Sequence, residues 1–154
     1  MKRRAAIALV ALMATACGVQ PSGVISGNEA PSGPAVPSVA KSRNTIYFIA
    51  GGTLTPVRRT GEDLTGAAAI NALAQGPTPA EQAKNLSTQV PRSALPASVY
   101  PVADGTVVQL SDSVIELSVL AERQIVCTLA NQTEQGTRFI LTGGGQTLPA
   151  QVCQ

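Results

Sequence analysis

Any chemistry in this chain has to run on carboxylates, hydroxyls and three thiols, because its 154 residues include neither His nor Trp. A Ser-His-Asp triad, a Cys-His pair and every histidine-liganded zinc site are thereby excluded. The thiols are Cys17, Cys127 and Cys153. With no imidazole to generate a thiolate, Cys127 is a poor nucleophile. Asp112 and Glu116, four residues apart, have the residue types of a glycan-cleaving carboxylate pair. Placed where a helix starts, the same two residues instead satisfy free N–H groups and the helix dipole, which is their more ordinary use. Glu62-Asp63 precedes the first helix and reads the same way. Gly143-Gly144-Gly145 has no following helix and no Lys, so it is a turn rather than a phosphate cradle. Arg58 and Arg59 close a short strand. They are either candidate partner-binding residues, for a protein or lipid headgroups, or solvated charges that protect a sheet edge. No residue is assigned a catalytic, cofactor-binding or metal-binding role.

The first residues explain why Cys17 stands apart from the other two thiols. Lys2-Arg3-Arg4 forms a positive n-region, Ala5 to Thr15 an apolar stretch, and small residues lead up to the Cys, the pattern of an export signal over residues 1–16. The apolar stretch is too short to cross a bilayer core, which takes about 20 helical residues. Met13-Ala14-Thr15-Ala16-Cys17-Gly18 resembles the lipobox of bacterial lipoproteins, with Ala14 where Leu is usual. That resemblance implies a diacylglyceryl-modified Cys17 bearing fatty acids such as palmitate, and a place on the extracytoplasmic face of the cell membrane. The alternative is cleavage after Ala16 and a free N-terminal thiol. Net charge is +2, and removing the leader's three cations leaves the remainder slightly acidic. No nucleic-acid partner is therefore expected, since such binding needs a concentrated basic footprint.

These residues have to be positioned by a chain of two characters. Residues 17–44 are rich in Gly, Ser, Pro and Ala without apolar periodicity, and read as a lipid-anchored flexible tether. Residues 45–154 carry the patterns of one domain. Ile46-Tyr47-Phe48-Ile49-Ala50 and Leu54 to Arg59 read as strands around Gly51-Gly52, and Pro56 places the second at an edge. Gly66 to Gln75 reads as a helix stopped by Gly76-Pro77, burying Ala69, Ile70, Leu73 and Ala74. Thr78-Pro79-Ala80-Glu81 opens a short helix with a capping box. Val99 to Leu110 reads as a hairpin, with Asp104-Gly105 supplying two positive-φ positions. A second capping box at Ser113-Val114-Ile115-Glu116 leads into a long helix to about Ala130, with Leu117, Ala121, Ile125 and Leu129 on its buried face and Leu120 beside them. Arg138 to Thr142 and Gln146 to Leu148 pair around the glycine run. The expected architecture is α+β, a small mixed or antiparallel sheet with two main helices packed on one face.

Four stretches in order carry a family resemblance. Ile46-Tyr47-Phe48 with Leu54 to Arg59, then Ala72 to Thr78 with Glu81, then Leu86-Ser87-Thr88-Gln89-Val90-Pro91, then Gln124-Ile125-Val126-Cys127-Thr128-Leu129 resemble the GerMN domain. That family is named for a spore germination protein and occurs also in LpqB-type lipoproteins. The resemblance spans about residues 45 to 148. It implies a small α+β domain, exported and often lipid-anchored, in sporulation, envelope or signalling assemblies, with no catalytic residues to carry over. The long C-terminal propeller of LpqB-type proteins has no counterpart here, and Cys127 stands where the family commonly has an aromatic residue.

With Cys17 acylated, Cys127 and Cys153 are an even pair in an exported protein, and a disulfide between them is the default expectation. A buried free thiol on the helix and an exposed one at the C-terminus is the alternative. Two classes of function follow. The first is a lipid-anchored, extracytoplasmic, non-catalytic interaction module with the membrane and an envelope protein as partners and no cofactor. The alternative is a small-ligand or cell-wall glycan binding lipoprotein, for which the aromatic platforms are few: Tyr47, Phe48, Tyr100 and Phe139.

Overall fold

The computed structural model describes residues 42–154. The expected leader, Cys17 and most of the expected tether lie outside the described residues. Residues 42–44, assigned by sequence to the tether, are hydrogen-bonded into the domain. Asn131 Nδ2 donates to the Ser42 carbonyl at 3.1 Å, and the Arg59 N–H donates to the Asn44 carbonyl at 2.8 Å.

Strands β1 (Thr45–Ala50) and β2 (Thr53–Arg58) form an antiparallel hairpin closed by Gly51 and Gly52, both at positive φ. Helix α1 (Ala67–Gln75) buries Ala69, Ile70, Ala72, Leu73 and Ala74, and ends at Gly76 with φ 88°. Helix α2 (Pro79–Gln82) has both halves of its capping box: Thr78 accepts from the Glu81 N–H, and the Glu81 carboxylate accepts from the Thr78 N–H. Strands β3 (Ser98–Val102) and β4 (Gly105–Gln109) pair antiparallel. Helix α3 (Val119–Ala130) then crosses to β5 (Phe139–Gly143), which lies parallel to β4, and β6 (Gln146–Thr147) folds back antiparallel on β5. The architecture is α+β. Its strands divide into a two-stranded sheet, β1-β2, and a mixed four-stranded sheet in the order β3-β4-β5-β6. Ile46 and Phe48 from the first and Val108, Phe139 and Leu141 from the second share one core with Ile70, Leu73, Ile125 and Leu129 of the helices.

Two local expectations change. The stretch after Ser113 is a single 3-10 turn, Val114–Glu116, followed by extended Leu117; α3 begins only at Val119, after Ser118, whose hydroxyl accepts from the Ala121 N–H at 3.1 Å. Ser113 and Glu116 make no capping box, because Ser118 offers a competing cap one turn later. In the β3–β4 hairpin, Val102 pairs with Gly105, so Ala103 and Asp104 form the turn and only Gly105 has positive φ, at 147°. Its lack of a side chain is required by packing as well: a Cβ there would stand 2.3 Å from the Arg138 carbonyl, which accepts the Thr106 N–H.

Candidate functional site

Arg59, expected beside Arg58 on an exposed edge, is turned inward. Its Nε and Nη2 donate to the two Glu81 carboxylate oxygens at 3.1 and 2.8 Å, and Nη2 also reaches the Gly76 carbonyl at 3.1 Å. Its guanidinium stacks over Phe48 at 5.3 Å from the ring centroid. Both charged side chains are nearly covered, 13% and 12% exposed. The hydrogen bond to Glu81 raises the Arg59 pKa, and the same bond, helped by Thr78, holds the Glu81 carboxyl below its ordinary value. Arg59 thus terminates α1, whose last carbonyls have no partner within the helix. Arg58 is exposed and forms no ion pair among the described residues.

A second polar network, not anticipated from the sequence, lies on the far edge of β1. Gln124 and Thr128 occupy successive turns of α3 and are fully buried. The Tyr47 N–H donates to Thr128 Oγ1 at 3.0 Å, and Gln124 Nε2 donates to the Tyr47 carbonyl at 3.0 Å. Gln124 Oε1 accepts the Gln89 N–H at 2.8 Å, while Ser87 and Ile49 exchange both backbone bonds. The helix therefore completes the hydrogen bonding of a strand edge that has no neighbouring strand among the described residues, sparing buried backbone groups that are costly to leave unpaired. The only sequence signal was a polar pair four apart on an otherwise apolar helix face.

Cys127 and Cys153 are joined, with Cα atoms 4.8 Å apart. The segment holding Cys153 is further tied by two backbone bonds between Gln151 and Phe139 and by Gln151 Nε2 donating to Glu122. Asp112 accepts the Ser113 N–H at 2.8 Å, and a hydrogen bond from Ser93 is the main reason its carboxyl lies below the ordinary value. Glu116 is exposed on the 3-10 turn. Glu62 and Asp63 do not serve the start of α1: Gly66 donates its N–H to Gln132 Oε1, and Glu62 stands 4.0 Å from Arg59. Among the described residues no cluster of three or more His, Cys, Asp or Glu is placed to hold a metal ion. No described helix is long and apolar enough to cross a membrane.

A cleft lies elsewhere, on the larger sheet. Ser98 pairs with Gln109, Gln109 with Thr142 and Thr142 with Thr147, a row of neutral polar residues running across all four strands of the larger sheet. Cross-strand partners share a face. This is the face turned away from the buried Val108 and Leu141. The row lines a cleft of about 620 Å³ together with Pro96, Ser111 and the Gly143–Gln146 turn. Gly143 and Gly144 let that turn close down, since a Cβ on either would meet the Leu110–Ser113 backbone at under 3 Å.

A family model described as Germane, sporulation and spore germination, matches residues 45–148, more than half of the chain. The chain belongs to the Germane family. Its domain is thus a sporulation- and germination-related one, of the GerMN type. No curated protein and no solved structure matches the chain. The four stretches that resemble Germane domains meet around β1 and β2: Tyr47 with Gln124 and Thr128, Ile49 with Ser87, Gln89 with Gln124, and Arg59 with Gly76 and Glu81. In this Germane domain those motif residues build the fold.

Proposed function

We infer that this Germane protein is a non-catalytic interaction module, exported and lipid-anchored through Cys17 at the extracytoplasmic face of the cell membrane, which docks onto another envelope protein. One observation carries the reading: the covered ion pair and the two described thiols are bound up in structural bonds, Arg59 with Glu81 and Cys127 with Cys153. Acid–base and nucleophilic catalysis need such groups free to reach a substrate. Export is supported by the disulfide, which persists in oxidising compartments, and by the leader pattern before Cys17. A tether between Cys17 and the domain would raise the domain's effective concentration at the membrane and so favour a neighbouring envelope protein as partner.

The docking surface on this reading is the outer edge of β2. The Arg59–Asn44 bond fixes the alternation of the hairpin, so Leu54, Pro56 and Arg58 point their backbone groups outward. Arg58 is the exposed charge that would set the register of a partner. The test is cross-linking and capture from membranes with wild type and Arg58→Glu; Arg59 is unsuitable, because reversing it would disrupt α1 and α2. Loss of the cross-linked species in Arg58→Glu, at unchanged lipidation and melting temperature, is expected. Undiminished capture would remove this edge, and turnover of peptidoglycan by the purified chain would overturn the non-catalytic reading.

A further inference from the structure

We propose that the cleft across the four-stranded sheet is a binding site for an uncharged sugar chain carrying acetamido groups. Its volume, about 620 Å³, lies within the range of roughly 300–1,000 Å³ usual for ligand pockets. What distinguishes it is chemistry. No charged side chain lines it, whereas the clefts at Arg58 and at Arg138 both carry charges of each sign. Among the described residues, the side chains of Ser98, Gln109, Thr142, Gln146 and Thr147 make no hydrogen bond to protein. Three hydroxyls and the primary amide of Gln109 are therefore held unspent on one face of the sheet, and Gln146, paired with Gly143, adds a second amide from the turn that walls the cleft.

A ligand that matches this lining must be neutral and present many hydroxyls and amides at close spacing. Anions and cations would lose hydration here with no opposite charge to replace it. An apolar ligand would strip water from five polar side chains without returning their hydrogen bonds. An acetamido sugar fits on both counts, its hydroxyls facing the Ser and Thr residues and its acetamido group the Gln amides.

Position adds a second element. Tyr100 stands two residues from Ser98 on the same face of β3 and is 43% exposed, one of few large hydrophobic side chains left in solvent among the described residues. It lies outside the residues that line the cleft but next along β3 on the same face, where the apolar face of a sugar ring extending beyond the polar row can stack. The strands and the glycine-closed turn hold the donors fixed, so little ordering is needed on binding. This cleft lies on a different sheet from the β2 edge, so the glycan site and the protein-docking edge stand or fall separately.

The experiment is calorimetric titration of the full chain, extracted in a detergent without a sugar headgroup, using chitotetraose, an uncharged acetamido-sugar oligomer. Saturable binding is expected. It should weaken at least tenfold in Gln109→Ala, Thr142→Val and Tyr100→Ala, remain unchanged in Arg58→Glu, and be absent for an oligogalacturonate of similar length. Gln146→Ala, on an exposed turn, serves where a strand variant fails to fold, and should also weaken binding. No heat at millimolar chitotetraose would overturn the proposal. So would equal affinity for the acidic oligomer, or binding that survives Gln109→Ala and Gln146→Ala in folded protein.

Discussion

Arg59 shows how one residue's role changes once its neighbours are in place. Beside Arg58 in the sequence it is one of two charges closing a strand; in the fold it serves Gly76 and Glu81, which lie 17 and 22 positions away. That distance is why its role could not be read locally. Arg59→Met should cost about 1.5–3 kcal/mol, the range for hydrogen bonds to charged groups, because it leaves Glu81 and the Gly76 carbonyl without their donor. Arg58→Ala should fall within about 0.5 kcal/mol of wild type, as exposed substitutions usually do. Urea unfolding distinguishes them directly. The pair also sets a pH dependence. Glu81 has its folded-state pKa depressed, so its contribution is complete above the ordinary carboxyl value of 4.5 and is lost as pH falls below that toward the folded value. Arg59, its pKa raised above an already strongly basic ordinary value by the bond to Glu81, stays charged throughout that window. Glu81→Gln should flatten the acid side of the stability curve relative to wild type; an unchanged slope would show that Glu81 is not the group responsible.

At the scale of elements, apolar patterning is legible and polar completion is not. The strands, α1, the capping box of α2 and the buried positions Ala121, Ile125 and Leu129 of α3 follow from spacing alone. The start of α3 does not, because Ser113 and Ser118 both look like caps and only tertiary packing chooses. Gln124 and Thr128 were equally silent, since their partners on β1 lie about 80 residues upstream. Gln124→Leu and Thr128→Val should each destabilise by roughly 1–3 kcal/mol through the backbone groups left unpaired. Both act on Tyr47, so the double mutant should deviate from additivity, a coupling that a double-mutant cycle measures. The free edges follow a related logic. On β3 the Thr106–Arg138 bond fixes the alternation, so that Val99 and Pro101 face outward, as Pro56 does on β2. Each exposed edge thus lacks one donor that an added strand would need. Pro101→Val should raise self-association in sedimentation velocity, and a monomeric variant at high concentration would count against that protective role.

For the whole molecule, the division into two sheets was the least legible feature, because it depends on which strands pair and not on where strands occur. The Cys127–Cys153 bond closes a 26-residue separation and fastens the C-terminal segment to α3. Cys153→Ser should lower stability by roughly 3–4 kcal/mol in the chain-entropy model, read as a shift in the urea midpoint. Membrane attachment and export rest on Cys17 and the residues before it, and one measurement reaches these together with the disulfide. It is the intact mass of the protein extracted from membranes of a bacterium with lipoprotein export machinery, before and after reduction. The expected mass is that of residues 17–154 plus a diacylglyceryl group and any further acyl chain, rising by two hydrogen atoms on reduction. A chain that retains residues 1–16, or one that begins at Cys17 without lipid, would contradict the lipid-anchored reading.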